Sequence, residues 1–138
     1  MTYHATLTPD DNGSLLVQFP DLPAAITFGM GHSDALLRAR DALAAALELY
    51  IEDRRPLPKA KFKDGHPITL RGITAAKIAL HLAMREAKLS KATLAKRLGL
   101  HPPQIDRLLD FNHASKLDSL EDALAAVGKL LTVDIKAA

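Results

Sequence analysis

Residues 90–109 read SKATLAKRLGLHPPQIDRLL, and the break inside that stretch decides what the C-terminal half of the chain is. Apolar side chains fall at Leu94, Leu98, Ile105 and Leu108, a helical rhythm on both sides of Gly99. Pro102 and Pro103 exclude one continuous helix. A proline in a helix interior costs about 3 kcal/mol, whereas in the first turn its missing N–H is no loss. The spacing therefore predicts one helix ending near Leu98–Gly99 and a second beginning near Pro102. Ala95 is small enough to admit a second helix, Gly99 tolerates positive φ at the turn, Leu100 plugs the corner, and Ile105 and Leu108 face back. Those are the requirements of a helix-turn-helix; the alternative is an ordinary corner in an all-α domain. Charge favours a DNA reader: residues 71–110 carry eight Lys/Arg against three Asp/Glu.

In such a reader the second helix lies in the major groove with its N-terminal residues toward base edges. With Ile105 and Leu108 turned inward, the exposed face runs through Pro102, Pro103, Asp106, Arg107 and Asp110. Prolines donate no hydrogen bond and offer only apolar contact, so direct readout falls on Arg107, with Gln104 as a second donor. The competing role for Arg107 is a helix ion pair with Asp106 or Asp110. Lys91, Lys96, His113 and Lys116 are candidate phosphate contacts, with His101 beside them at the turn. Ser90 reads as the N-cap of the first helix, a position that also favours a phosphate.

The N-terminal half changes period partway along. Tyr3, Ala5 and Leu7 alternate with polar residues, Pro9–Gly13 reads as a turn, and Leu15, Val17 and Phe19 resume the alternation, predicting a hairpin. Asn12-Gly13-Ser14 matches a glycosylation sequon but is read as part of that turn. After Pro20–Pro23, Ile26, Phe28 and Met30 line one face of a third strand. A helical stripe of Leu36, Ala39, Leu43, Ala46, Leu47 and Tyr50 then runs from about Ser33, its expected N-cap, to Asp53. Ile68–Leu70 can form a fourth strand. The order is β-β-β-α-β, with the helix covering the apolar face of the sheet. From Thr74, an expected cap, the chain reads as helices. Ser119 with Asp122 resembles the start of another, ending at Gly128, and Leu131, Val133 and Ile135 alternate as a short terminal strand.

The fold class is thus α+β, with residues 1–70 a mixed module and 71–138 an all-α domain. Residues 1–70 carry seven Lys/Arg against nine Asp/Glu, net −2; residues 71–138 carry eleven against seven, net +4. No apolar run spans a bilayer, and the start MTYHATLTPDD lacks a signal-peptide layout. Zero cysteines exclude disulfides and thiolate metal sites and fit a reducing cytoplasm. The six histidines show no metal-ligand spacing, there is no nucleophile elbow or phosphate loop, and Asp10, Asp11, Asp21 and Asp34 each sit at a turn or helix start. Neither catalysis nor a metal or other cofactor is expected.

Phe19-Pro20-Asp21-Leu22-Pro23, then Asp34–Leu43 (DALLRARDAL) and Glu48-Leu49-Tyr50, resemble the HicB antitoxin family. Leu94–Gly99 (LAKRLG), Ile105–Leu108 (IDRL) and His113–Asp118 (HASKLD) match the repressor-type helix-turn-helix that many of its members carry. The chain departs from the family pattern at Gly29-Met30-Gly31, before the long helix, and at Ala24-Ala25 after the Pro-Asp-Leu-Pro. The resemblance implies a partial ribonuclease H-like module without catalytic carboxylates, binding a HicA-type mRNA-cleaving toxin. It also implies a C-terminal domain that represses the operon at double-stranded operator DNA. An acidic module beside a basic one suits those two partners. A homodimer or higher oligomer is expected, with Leu131–Ile135 and the preceding helix as its seam. The alternative is a stand-alone transcription regulator whose N-terminal module senses a ligand or dimerises.

Overall fold

The computed structural model describes residues 1–138, which form two compact units, Met1–Arg71 and Gly72–Ala138. The first contains β1 (Thr2–Pro9), β2 (Ser14–Gln18), β3 (Ile26–Met30), α1 (His32–Glu52) and β4 (His66–Thr69). Its strands lie in the order β3-β2-β1-β4, every neighbour antiparallel. The register places Leu7 opposite Val17, Val17 opposite Thr27, and Tyr3 opposite Ile68. Alternation then sends Tyr3, Ala5, Val17 and Ile68 to one face, where α1 buries Ala35, Ala39, Leu43, Ala46 and Leu47 against them. Pro9 belongs to β1, and the turn is Asp10–Gly13, closed by Asp10 N–H donating to Ser14 O (2.9 Å). Asn12 serves the turn as read, its Oδ1 accepting from both Ser14 N–H and Ser14 Oγ–H.

Two sequence expectations for this unit are corrected. Ile26, Phe28 and Met30 do share a face of β3, but it is the outer one, where they are 54%, 53% and 66% exposed. The inner face holds Gly29, and a Cβ there would sit 2.3 Å from Ala35 Cα, so the helix closes on the side that lacks a side chain. Ser33 is not the cap of α1. The helix begins at His32, and the Asp34 carboxylate reaches back to accept from Met30 N–H (2.8 Å) while pairing with Arg38 (3.0 Å). The backbone donor first, and Arg38 second, hold the Asp34 carboxyl below the usual carboxylate range. Asp21 has a structural task as well: its carboxylate accepts from Phe62 N–H (2.8 Å), and Tyr3 donates its hydroxyl to Pro58 O, so both fasten the extended stretch after α1.

The second unit contains α2 (Gly72–Glu86), α3 (Lys91–Leu98), α4 (Pro102–Leu109) and α5 (Leu117–Ala126). Leu80, Leu94, Ile105, Leu120 and Ala123 are fully buried at its centre, with Leu100 and Leu131 packed at the rim. Thr74 lies inside α2, two residues past its start, and Ser119 lies inside α5, which starts at Leu117 with Lys116 as its cap position. The terminal strand is absent: residues 129–138 form neither helix nor strand, and Leu130, Val133 and Ile135 are exposed. A strand needs a partner, and this unit has none to offer.

Candidate nucleic-acid interface

Residues 91–109 form two eight-residue helices joined by Gly99–His101. Ser90 caps α3, its Oγ accepting from Thr93 N–H (3.1 Å). At the far end Gly99 takes φ +66°, which lets Leu100 N–H donate to Ala95 O (2.9 Å) and Gly99 N–H to Lys96 O (3.3 Å). This paired closure is the Schellman arrangement and turns the chain sharply out of the helix. It carries Leu100 inward and leads to His101, whose N–H donates to Gln104 Oε1 (2.8 Å), one arm of a capping box at the start of α4. Pro102 and Pro103 occupy the first turn, as their missing N–H groups allow.

Ile105, Leu108 and Leu109 are buried, and Pro102, Pro103, Asp106, Arg107 and Asp110 are exposed along the opposite side of α4. Asp106 pairs with Lys91 (2.8 Å) across the two helices, both side chains about three-fifths exposed. Lys91 is therefore partly neutralised. Arg107 is in no ion pair, either with Asp106 or with Asp110, and its guanidinium stands free on the surface. Gln104 spends its carbonyl oxygen on the cap, which leaves its amide N–H groups available. Lys96, His101, His113 and Lys116 are exposed; Lys96 lies on α3, His101 at the turn, and His113 and Lys116 on the loop between α4 and α5. Ser90, whose Oγ bonds both the N–H and the Oγ1 of Thr93, lies at the N-terminal end of α3. No three His, Asp or Glu side chains gather as a metal site.

Sequence reasoning missed the two residues that hold this surface together. Lys77, on α2, is fully buried, and its Nζ donates to Arg107 O (2.9 Å), Asp110 O (2.7 Å), His113 O (2.8 Å) and Ser115 Oγ (2.8 Å). An ammonium has three N–H groups, so one is shared between two acceptors. One turn on, His81 Nε2 lies 2.8 Å from Leu109 O; a carbonyl only accepts, so the ring proton sits on Nε2. The His81 ring also meets Phe111 edge-on at 5.8 Å between centroids. The last carbonyls of a helix have no partner within it, and a cation is favoured beside them. Here α2 supplies both partners for α4 from outside. Burial pushes the Lys77 ammonium down, opposed by Asp110; burial, then the nearby Lys91, Arg85 and Lys77 cations, push His81 down. The sequence carries a signal for it: Lys77 interrupts the apolar run ITAAKIALHLAM on the same side as Ala76, Leu80 and Met84, where a lysine must have partners.

The first unit presents a different surface. Its outer sheet face is apolar at one edge, with Ile26, Phe28 and Met30 on β3 beside the half-buried Leu16 of β2, opposite Phe28. No helix of the chain is long and apolar enough to cross a membrane.

Comparison with known proteins converges on one family. Residues 2–79 match the family model described as HicB_like antitoxin of bacterial toxin-antitoxin system. The chain is 37% identical over 131 residues to Antitoxin HicB 2 of Photorhabdus laumondii, covering 95% of this chain and 94% of that one. It is 36% identical over 135 residues to Antitoxin HicB of Escherichia coli K12, covering 96% and 98%. Against Antitoxin HicB of Pseudomonas fluorescens Pf0-1 it is 35% identical over 141 residues, covering 100% and 97%. With one antiparallel sheet, five helices and full-length likeness to these proteins, the chain belongs to the HicB-like antitoxin family.

Proposed function

We propose that this protein is an antitoxin with two separable binding activities: residues 1–70 neutralise a HicA-type mRNA-cleaving toxin, and residues 71–138 repress the operon by reading operator DNA. The observation that carries the second activity is α4, which buries Ile105, Leu108 and Leu109 and leaves Arg107 exposed and unpaired on the other side. An arginine in that position reads guanine O6 and N7 by a bidentate contact. Lys96, His113 and Lys116 flank it as phosphate contacts, with Lys91, His101, Gln104, Pro102 and Pro103 completing the surface and Ser90 presenting the N-terminus of α3. The net +4 of residues 71–138 supports an anionic partner, and the net −2 of residues 1–70 supports a basic, RNA-binding one.

For the toxin, the apolar outer face around Ile26, Phe28 and Met30 is the contact surface this reading uses, since exposed apolar clusters of that kind mark protein interfaces. A homodimer on DNA follows from the small groove area one such helix covers, with half-sites about 34 Å apart. Its seam is α5 with the segment Leu131–Ile135, exposed after Leu131, whose strand pattern lacks a partner within the chain.

The decisive test titrates the wild type and Arg107→Ala against the promoter duplex of its own gene and a scrambled duplex, at two salt concentrations. Arg107→Ala is expected to lose about 1–3 kcal/mol on the promoter, and to lose discrimination at one base position, while toxin neutralisation persists. Equal weakening on both duplexes would remove Arg107 from base readout.

A further inference from the structure

We propose that Lys77 is the positioning residue of the DNA-reading surface: it touches no DNA but fixes the end of α4 and the loop that carries His113 and Lys116. The inference rests on the DNA-binding reading above.

The loop from Asp110 to Lys116 has little else to hold it. Phe111 is half-buried against His81, but Asn112, His113 and Ala114 are exposed. Its internal bonds are short-range, from Asn112 N–H to Asp110 Oδ1 (2.9 Å), His113 N–H to Asp110 O (3.1 Å) and Ser115 N–H to His113 O (3.0 Å). Such bonds bend a segment without fixing it to the domain. Lys77 Nζ does fix it, because acceptors from Arg107, Asp110, His113 and Ser115 all converge on that one atom. Ser115 Oγ closes the set by donating to Arg107 O (3.3 Å) while accepting from Lys77.

The residue type follows from the geometry. Three of the four acceptors are main-chain carbonyls and none is a carboxylate, so the cluster offers no negative charge that would select any cation in general. It offers oxygens around a point, which suits a compact ammonium on a slim stem. The planar fork of an arginine directs its donors into one plane and is bulkier at the same depth. A methionine fills the stem but donates nothing, so each carbonyl loses its bond to the lysine and keeps only its short-range partner.

Because Lys77 is 0% exposed, it makes no phosphate contact of its own. Loss of its charge alone would leave the effect of Lys116→Ala intact, so disappearance of that effect in the Lys77→Met background is what a purely stabilising role would not produce. The experiment measures the logarithmic salt slope of binding to the promoter duplex for wild type, Lys116→Ala, Lys77→Met and the double variant. Each phosphate contact contributes about 0.9 to that slope. Lys116→Ala is expected to flatten it by about one. Lys77→Met should flatten it by about one or more, and Lys116→Ala should then change nothing further in the Lys77→Met background. Amide hydrogen exchange over Asn112–Ser115 should rise in Lys77→Met, with the buried middle of α4 near wild type.

A folded Lys77→Met with the wild-type slope, in which Lys116→Ala still has its full effect, overturns the proposal. If Lys77→Met does not fold, Ser115→Ala takes its place, keeping the lysine and removing one acceptor. It should show part of the slope loss and faster exchange at His113–Ser115, and no change in either overturns the proposal. A wild-type chain that binds no duplex defeats the DNA-binding reading instead, while the exchange measurement still judges whether Lys77 fixes the loop.

Discussion

The two units solve the same problem, holding a helix in place, by opposite means. In residues 1–71 the helix α1 is seated by what is missing: Gly29 has no side chain, Ala35 and Ala39 have small ones, and backbone meets backbone. In residues 72–138 the helix α4 is seated by something added, a buried lysine and a histidine from α2 that take up its terminal carbonyls. Close packing tolerates no error in volume, because interiors are dense and relax little. A polar clamp tolerates no error in donors, because unpaired buried carbonyls cost about 1–3 kcal/mol each. Each unit is therefore fragile in its own way: the first to added bulk, the second to lost donors and lost charge.

The sharpest way to break that contrast is to add a single methyl group in each unit. Gly29→Ala would put Cβ within 2.3–2.7 Å of Ala35 backbone and side-chain atoms, and is expected to destabilise the first unit by about 3 kcal/mol or more. Gly99→Ala meets nothing within 4 Å and only strains a φ of +66°, so about 1–2 kcal/mol is expected. Denaturant titration, read at amides of each unit separately, measures both. A cost at Gly99 equal to that at Gly29 would mean that packing is not what sets the first unit apart.

Acid should separate the units next. His81 is held below its ordinary value of 6.5 by burial and by neighbouring cations, so its ring stays neutral in the folded chain where the unfolded chain takes up a proton. Its contribution is complete above about pH 6.5 and is lost as pH falls through the lowered value. Asp34 is also depressed, from 3.8, so its contribution to the first unit persists to about pH 4 and is lost only below. Thermal unfolding followed between about pH 7.5 and pH 4 should therefore show the second unit weakening first. His81→Gln, which keeps a donor for Leu109 O, should flatten that response. Earlier loss of the first unit would reverse the assignment.

The smallest effect should be the same in both. Helices α1 and α2 end in the Schellman closure with Arg54 (φ +54°) and Lys88 (φ +53°) in the left-handed region. Arg54→Gly and Lys88→Gly are each expected to stabilise by up to about 1 kcal/mol, since glycine relieves the Cβ strain and loses part of the gain to backbone entropy. Unequal gains would show that the rest of each unit reaches even these exposed turns.

Much of this protein is decided by local rules. Period two at Tyr3–Leu7 and Leu15–Val17, period three to four from Leu36 to Leu47, and the Gly99–Pro102 break mark strands, helices and the corner, because each follows from backbone geometry within a few residues. The exposed line through Pro102, Arg107 and Asp110 follows from the burial of Ile105 and Leu108 in the same way. Alternation, however, only sorts β3 into two faces. Which face α1 covers was decided by the approach of Ala35 to Gly29, and it left the larger Ile26, Phe28 and Met30 outside. The start of α1 was decided by the reach of Asp34 back to Met30, and the start of α5 follows a loop gathered onto a lysine some thirty to forty residues away in sequence. Leu131–Ile135 keeps its strand pattern without becoming a strand, since pairing needs a second backbone. Lys77 is the clearest case. A sequence gives the identity of a charged residue, but whether that charge faces water or four converging oxygens depends on chain that folds around it from elsewhere.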